Sequence, residues 1–200
     1  MLNISNRKIE LILAADELQK NLFGKKIRSI EQKYGEKECR RKTVDIFEKL
    51  AYQWNFFHDN GAASLGVCYL YSSLLLRTYK FKIILLGEEF WLEEKPEEVV
   101  WDLTSFFNDF EKDMEFILPR MRNIFPRLCK AEEDVIRLYC VNYYLAAISQ
   151  LCRDLAKDIL YSNEMSKLKK TKDFYFFFGR FLGEGEILWR MDNSIDKNGK

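Results

Sequence analysis

The sequence predicts a mainly α protein: a helical bundle with two buried central helices, about 60–77 and 131–160, and a small β-hairpin near 79–93. Two observations carry the prediction. First, Asn60 to Leu76 and Leu138 to Cys152 hold no charge, in a chain where 32% of residues are charged. An uncharged run of that length cannot lie on a wet surface as one amphipathic helix, and asks for cover on nearly every side. Second, apolar residues elsewhere recur at helical spacing, and only three prolines interrupt the chain.

From the N-terminus, Ser5 suits an N-cap, and Ile9, Ile12, Leu13, Leu18 and Leu22 follow near helical spacing up to Gly24. A second helical pattern, Ile27, Ile30 and Tyr34, stops at Gly35. The third is clearer: Val44, Phe47, Leu50, Ala51, Trp54 and Phe57 share one face, and His58-Asp59-Asn60-Gly61 reads as its stop. The first uncharged run is then expected as helix four. In Tyr79 to Leu86 the rhythm changes to alternation, with Tyr79, Phe81, Ile83 and Leu85 on one side. Gly87-Glu88-Glu89 makes a turn, and Phe90-Trp91-Leu92 would return as the second strand of a hairpin.

After Pro96 two readings stand. Pro96-Glu97-Glu98 suits a first helical turn, whereas Val99-Val100-Trp101 suits a third strand followed by a helix capped at Thr104 or Ser105. Phe106, Phe107, Phe110, Met114 and Ile117 define a helix running to Pro119 in either case. Ala131 to Leu160 is a long helix containing the second uncharged run. The aromatic stretch 174–189, loosened by Gly179, Gly183 and Gly185, fits strand or helix. One domain over 1–192 is the simplest organisation, and the polar residues 193–200 are expected as a flexible tail.

Several functional classes are disfavoured. Neither uncharged run reaches the roughly 20 apolar residues of a membrane span. Charges at Arg7, Lys8, Glu10, Asp16 and Glu17 argue against a secretory leader. Five cysteines, an odd number in a chain too large to need stapling, point to a reducing cytoplasm. His58 is the sole histidine, so histidine-rich metal sites are excluded, and its place at a helix end suits capping better than catalysis. The cysteine spacings match no zinc or redox motif, and the glycines match no phosphate-binding loop. No cofactor is expected.

What remains is charge patterning and a possible pocket. Eleven acids fall between Glu88 and Glu115 against two lysines, while Lys25 to Lys42 holds eight basic residues and three acids. Such segregation favours oriented docking to another protein. The first reading is therefore a cytoplasmic, non-catalytic interaction or regulatory protein, with Glu93, Glu94, Glu97, Glu98, Arg40, Arg41 and Lys42 as its surface. The second is a divalent-metal-dependent hydrolase on the acidic belt, with Asp109 and Asp113 one helical turn apart as its first ligands. Glu94 and Glu97 form a Glu-x-x-Glu, but Pro96 interrupts it and no Glu-x-x-Asp follows. The third is nucleic-acid binding through 25–42 and 167–172, which a net charge of +1 does not favour. If a small molecule binds, Tyr69, Ser72, Ser73, Tyr139, Asn142, Tyr143 and Gln150 of the two uncharged runs would line its pocket.

Overall fold

The computed structural model of the protein describes residues 4–92 and 96–191. Helices α1 (Ile4–Gly35) and α2 (Lys37–Phe57) lead into strand β1 (Ala62–Tyr69), the short α3 (Tyr71–Leu75) and β2 (Lys80–Leu86). A 3-10 turn at Phe90–Leu92 precedes β3 (Glu97–Asp102), α4 (Thr104–Ile124) and α5 (Lys130–Leu160). The chain continues through α6 (Asn163–Lys167) into β4 (Lys170–Arg180) and β5 (Gly185–Arg190). The molecule is 63% helical and mainly α, but its centre is a mixed sheet in the order β3-β2-β1-β4-β5.

The largest correction concerns residues 60–77. They form no central helix: Ala62–Tyr69 is the middle strand, antiparallel to β2 and parallel to β4, and only Tyr71–Leu75 is helical. A strand covered on both faces loses its polar alternation and becomes a continuous uncharged run, which periodicity cannot tell from a buried helix. Leu65 and Val67 face the main core, whereas Cys68 belongs to a second cluster with Ile84, Leu86 and Phe177. The other central element, α5, is helical over the expected span, with Ile136, Cys140, Val141, Tyr144, Ile148, Cys152 and Leu155 buried.

The hairpin also differs in detail. Its first strand is β2, but Phe90–Leu92 is a 3-10 turn and the antiparallel partner is β3, with Phe81 opposite Trp101. Of the two readings after Pro96, the strand is the one formed. Residues 174–189 are strands, β4 and β5, with a register shift between Phe176 and Phe177. The two N-terminal helical patterns are one helix, Gly24 lying inside α1. Pro119 does not end α4, which runs on to Ile124. The expected tail, 193–200, lies outside the described residues.

One main core joins the sheet to the helices. Phe47 of α2 meets both Trp101 and Phe176, with ring centroids 6.3 and 6.0 Å away, and Phe107 of α4 reaches Phe81 at 5.9 Å. Tyr144 of α5 packs edge-on against Phe110 at 5.3 Å. Fully burying each such side chain contributes about 1.5–3 kcal/mol, so these rings dominate the packing energy. The second sheet face carries its own aromatic cover, in which Phe90, Tyr175 and Phe181 pack around Phe177. Gly66 lies beneath it. A Cβ at Gly66 would stand 2.4 Å from Phe177 Cζ, so only glycine admits the ring there.

Candidate functional site

The acidic belt is largely engaged inside the molecule. Glu97 Oε1 lies 3.4 Å from His58 Nε2, and Glu98 accepts from Lys82 Nζ at 2.7 Å. Asp102 accepts from the Thr104 amide at 2.9 Å, and the Thr104 hydrogen bonds hold its carboxyl below the usual range. Glu111 takes the Tyr79 hydroxyl and the Arg137 guanidinium. Burial pushes the Glu111 carboxyl up, but those two donors and the charges of Arg137 and Arg77 outweigh it, leaving it below its ordinary value. Glu93 and Glu94 lie outside the described residues.

Asp109 and Asp113 do not converge on a common point. Asp109 pairs with Lys112 at 3.2 Å on the exposed side of α4. Asp113 is 1% exposed and holds Lys26 Nζ, Gln19 Nε2 at 3.1 Å and the Tyr144 hydroxyl at 2.8 Å. A cation there would have to displace an ammonium already in place. Among the described residues, no group of three or more His, Cys, Asp or Glu is arranged to hold a metal ion.

The basic segments are similarly divided. Arg40 Nη2 binds Asp158 of α5 at 2.5 Å, Lys42 binds Glu38 at 2.7 Å, and Arg41 stands exposed. In the run 167–172, Lys167 pairs with Glu164 at 2.7 Å. Lys170 turns inward to the carbonyls of Met165 and Leu168, and burial lowers its pKa. Three cysteines are inert packing groups: burial pushes the Cys68 and Cys140 thiols up to about 12 and raises Cys152 as well.

The seven pocket residues separate into different places. Tyr139 and Tyr143 both donate to Asp16 of α1, at 3.2 and 2.6 Å, and join helix to helix. Ser73 fastens the α3–β2 connection through Thr78 Oγ1 at 2.8 Å and the Lys80 amide at 2.7 Å. With Ser72 it borders a depression of about 210 Å³ beside Lys80 and Val100. Tyr69 and Asn142 do meet, in an open groove of about 440 Å³ at the carboxyl ends of the parallel strands β1 and β4. Ser149 and Glu186 close its wall with a hydrogen bond.

Gln150 borders a separate cavity of about 80 Å³ where α1 gives way to α2. Ile27, Ile30, Tyr34, Phe106, Ala147 and Leu151 make its apolar wall, and Glu31, Gln150 and Asp154 add polar groups. The helices part at Gly35, where a Cβ would meet nothing within 4 Å, so no side chain fills the joint. Gly35 and Arg40 also border a wider depression of about 450 Å³ that includes Lys37, Arg41, Asp45 and Glu48. Arg40 thus joins Gln150 beside one cavity, although the two arise from unrelated features of the chain.

Sequence reasoning passed over the outer face of α2. Its buried face is Phe47, Leu50, Ala51 and Trp54, yet Tyr52 and Phe56 are 59% and 72% exposed, and Phe57, which the spacing placed on the apolar face, is 67% exposed where the helix ends beyond the packed stripe. The Phe56 and Phe57 rings touch edge to face at 4.9 Å. The signal was present, since Tyr52 and Phe56 stand four apart and off the apolar stripe. Comparison with protein-family models, with curated proteins and with solved structures found no match for this chain.

Proposed function

We propose that the chain is a non-catalytic interaction protein of a reducing, cytoplasmic compartment, and that it docks on another protein through the outer face of α2. The observation that carries this reading is the ridge of Tyr52, Phe56 and Phe57, three large rings presented to solvent at the end of a helix whose other face is fully packed. Exposed aromatic clusters of this kind supply the anchors of protein interfaces, because they bury much area with little side-chain entropy loss. A partner with an apolar cleft lined by aliphatic or methionine side chains would match them. The belt acids already paired with Lys82, Arg137 and Lys26 have less charge to offer a partner, so packing rather than charge is the main term. The reducing compartment rests on the five cysteines, all free thiols.

A photocrosslinking amino acid placed at Tyr52 or Phe56, and at Phe116 of α4 as a control, tests the surface. Adducts of one defined mass are expected from the α2 positions and not from Phe116. The double variant Phe56→Ser, Phe57→Ser should then weaken the isolated complex at least tenfold while leaving the circular dichroism spectrum unchanged. Equal labelling from all three positions, or a double variant that binds like the parent, would overturn the reading.

A further inference from the structure

We infer that the free edge of β3 docks an extended, basic segment of another protein, which adds to the sheet as one more strand. This edge is separate from the α2 ridge, and its test does not depend on that ridge. Strands β3 and β5 bound the sheet. An edge strand presents a row of backbone N–H and C=O groups without strand partners, and proteins commonly blunt it with a bulge or a cover. A register shift interrupts the β4–β5 pairing between Phe176 and Phe177. The other edge has no such break: β3 pairs with β2 in continuous register from Glu97 to Asp102, and no described strand pairs with its outer side.

The side chains of β3 select the occupant. In strand addition the main chain supplies affinity, and alternate side chains supply specificity. Glu98, Val100 and Asp102 are exposed on the sheet face away from the helices, whereas Val99 and Trp101 pack on the main core. Val100, 53% exposed, thus stands between two carboxylates. Glu98 takes Lys82 from β2 and still has a side chain 43% exposed, and Asp102 makes no ion pair among the described residues. A strand sets residues four apart at roughly 13 Å, so the matching segment reads Lys-x-Val-x-Lys with β-branched residues at x, in either chain direction. Opposite charges across a strand pair stabilise it, and like charges destabilise it. A second copy of this chain is therefore a poor occupant, because its β3, set antiparallel about Val100, would bring Glu98 against Asp102 at both ends.

The probe is the peptide Ser-Lys-Thr-Val-Thr-Lys-Ser, titrated into the full chain and followed by NMR and amide hydrogen exchange. Saturable shifts and slowed exchange are expected along β3 and not along β5. A peptide of the same composition with its two lysines adjacent keeps the charge but loses the spacing, and should bind at least tenfold more weakly. The pair Glu98→Gln, Asp102→Asn should weaken the parent peptide at least tenfold without lowering the melting temperature, since asparagine keeps an acceptor for the Thr104 amide. The assignment is overturned by failure to saturate at about 1 mM peptide, by equal binding of the rearranged peptide, or by undiminished binding to the doubly neutral variant. Protection of the β3 edge in a dimer of the chain, before any peptide is added, would overturn it as well.

Discussion

Asp113 is held by donors from two other helices, Lys26 and Gln19 on α1 and Tyr144 on α5, although Lys26 is 87 residues away and Gln19 is 94. Its removal leaves a partly buried ammonium, an amide and a phenol without their acceptor. Breaking a buried pair from one side typically costs about 3–5 kcal/mol, because the remaining charge is uncompensated. Asp113→Ala should therefore lose about 3 kcal/mol in urea unfolding, since Lys26 at 30% side-chain exposure recovers some hydration. A loss below about 1 kcal/mol would mean that the network is ornamental to stability. Asp113 and Asp109 were conspicuous in the chain because carboxylates one turn apart suit a metal. Their real partners were not, because a donor nearly a hundred residues away leaves no local mark.

The strands and helices differ in how much they revealed. In α2 and α4 one face is buried and the other wet, so their apolar stripes repeat at 3.6 residues and are readable in advance. Strand β2 was readable at period two from its first half, where Phe81 and Ile83 point inward and Lys80 and Lys82 outward, although Ile84 and Leu86 further along are buried in the second cluster. Strand β1 has no wet face. Its outer side is roofed by Phe177, a residue 111 positions beyond Gly66, and the roof depends on Gly66 having no side chain. Gly66→Ala should cost about 1–3 kcal/mol by overpacking. Paired with Phe177→Ala, it should cost far less than the two changes added together, by at least 1 kcal/mol in a double-mutant cycle. Additive losses would show that the ring can move aside freely.

Across the molecule, distant polar pairs tie the first helix to the rest. Arg7 Nε binds Glu132 Oε1 at 2.6 Å, joining the start of α1 to the start of α5, and Asp16 accepts from Tyr143 and Tyr139. The Arg7 hydrogen bond, helped by the Cys129 amide, pulls the Glu132 carboxyl down to about 2. Its unfolded value is about 4.3, so the folded state binds this proton less readily than the unfolded one. The stabilisation is complete above about pH 4.3 and is lost as pH falls toward 2. Asp16, Asp102 and Glu111 shift in the same direction. Urea midpoints at pH 6, 4 and 3 should therefore fall for the parent chain. Glu132→Gln should start lower and converge on it with acidity, and a gap constant across that range would remove the pair from the account. The sequence alone determined which segments must be buried, where the amphipathic helices lie, and that β2 is a strand, because burial and one-sided wetting act on neighbouring residues. Tertiary structure decided the rest: that the first uncharged run is a central strand, which carboxylate meets which cation, and that a cavity opens where two helices part at Gly35. Each depends on contacts between residues far apart in the chain, and a two-sided cover erases the only periodicity that could have announced them.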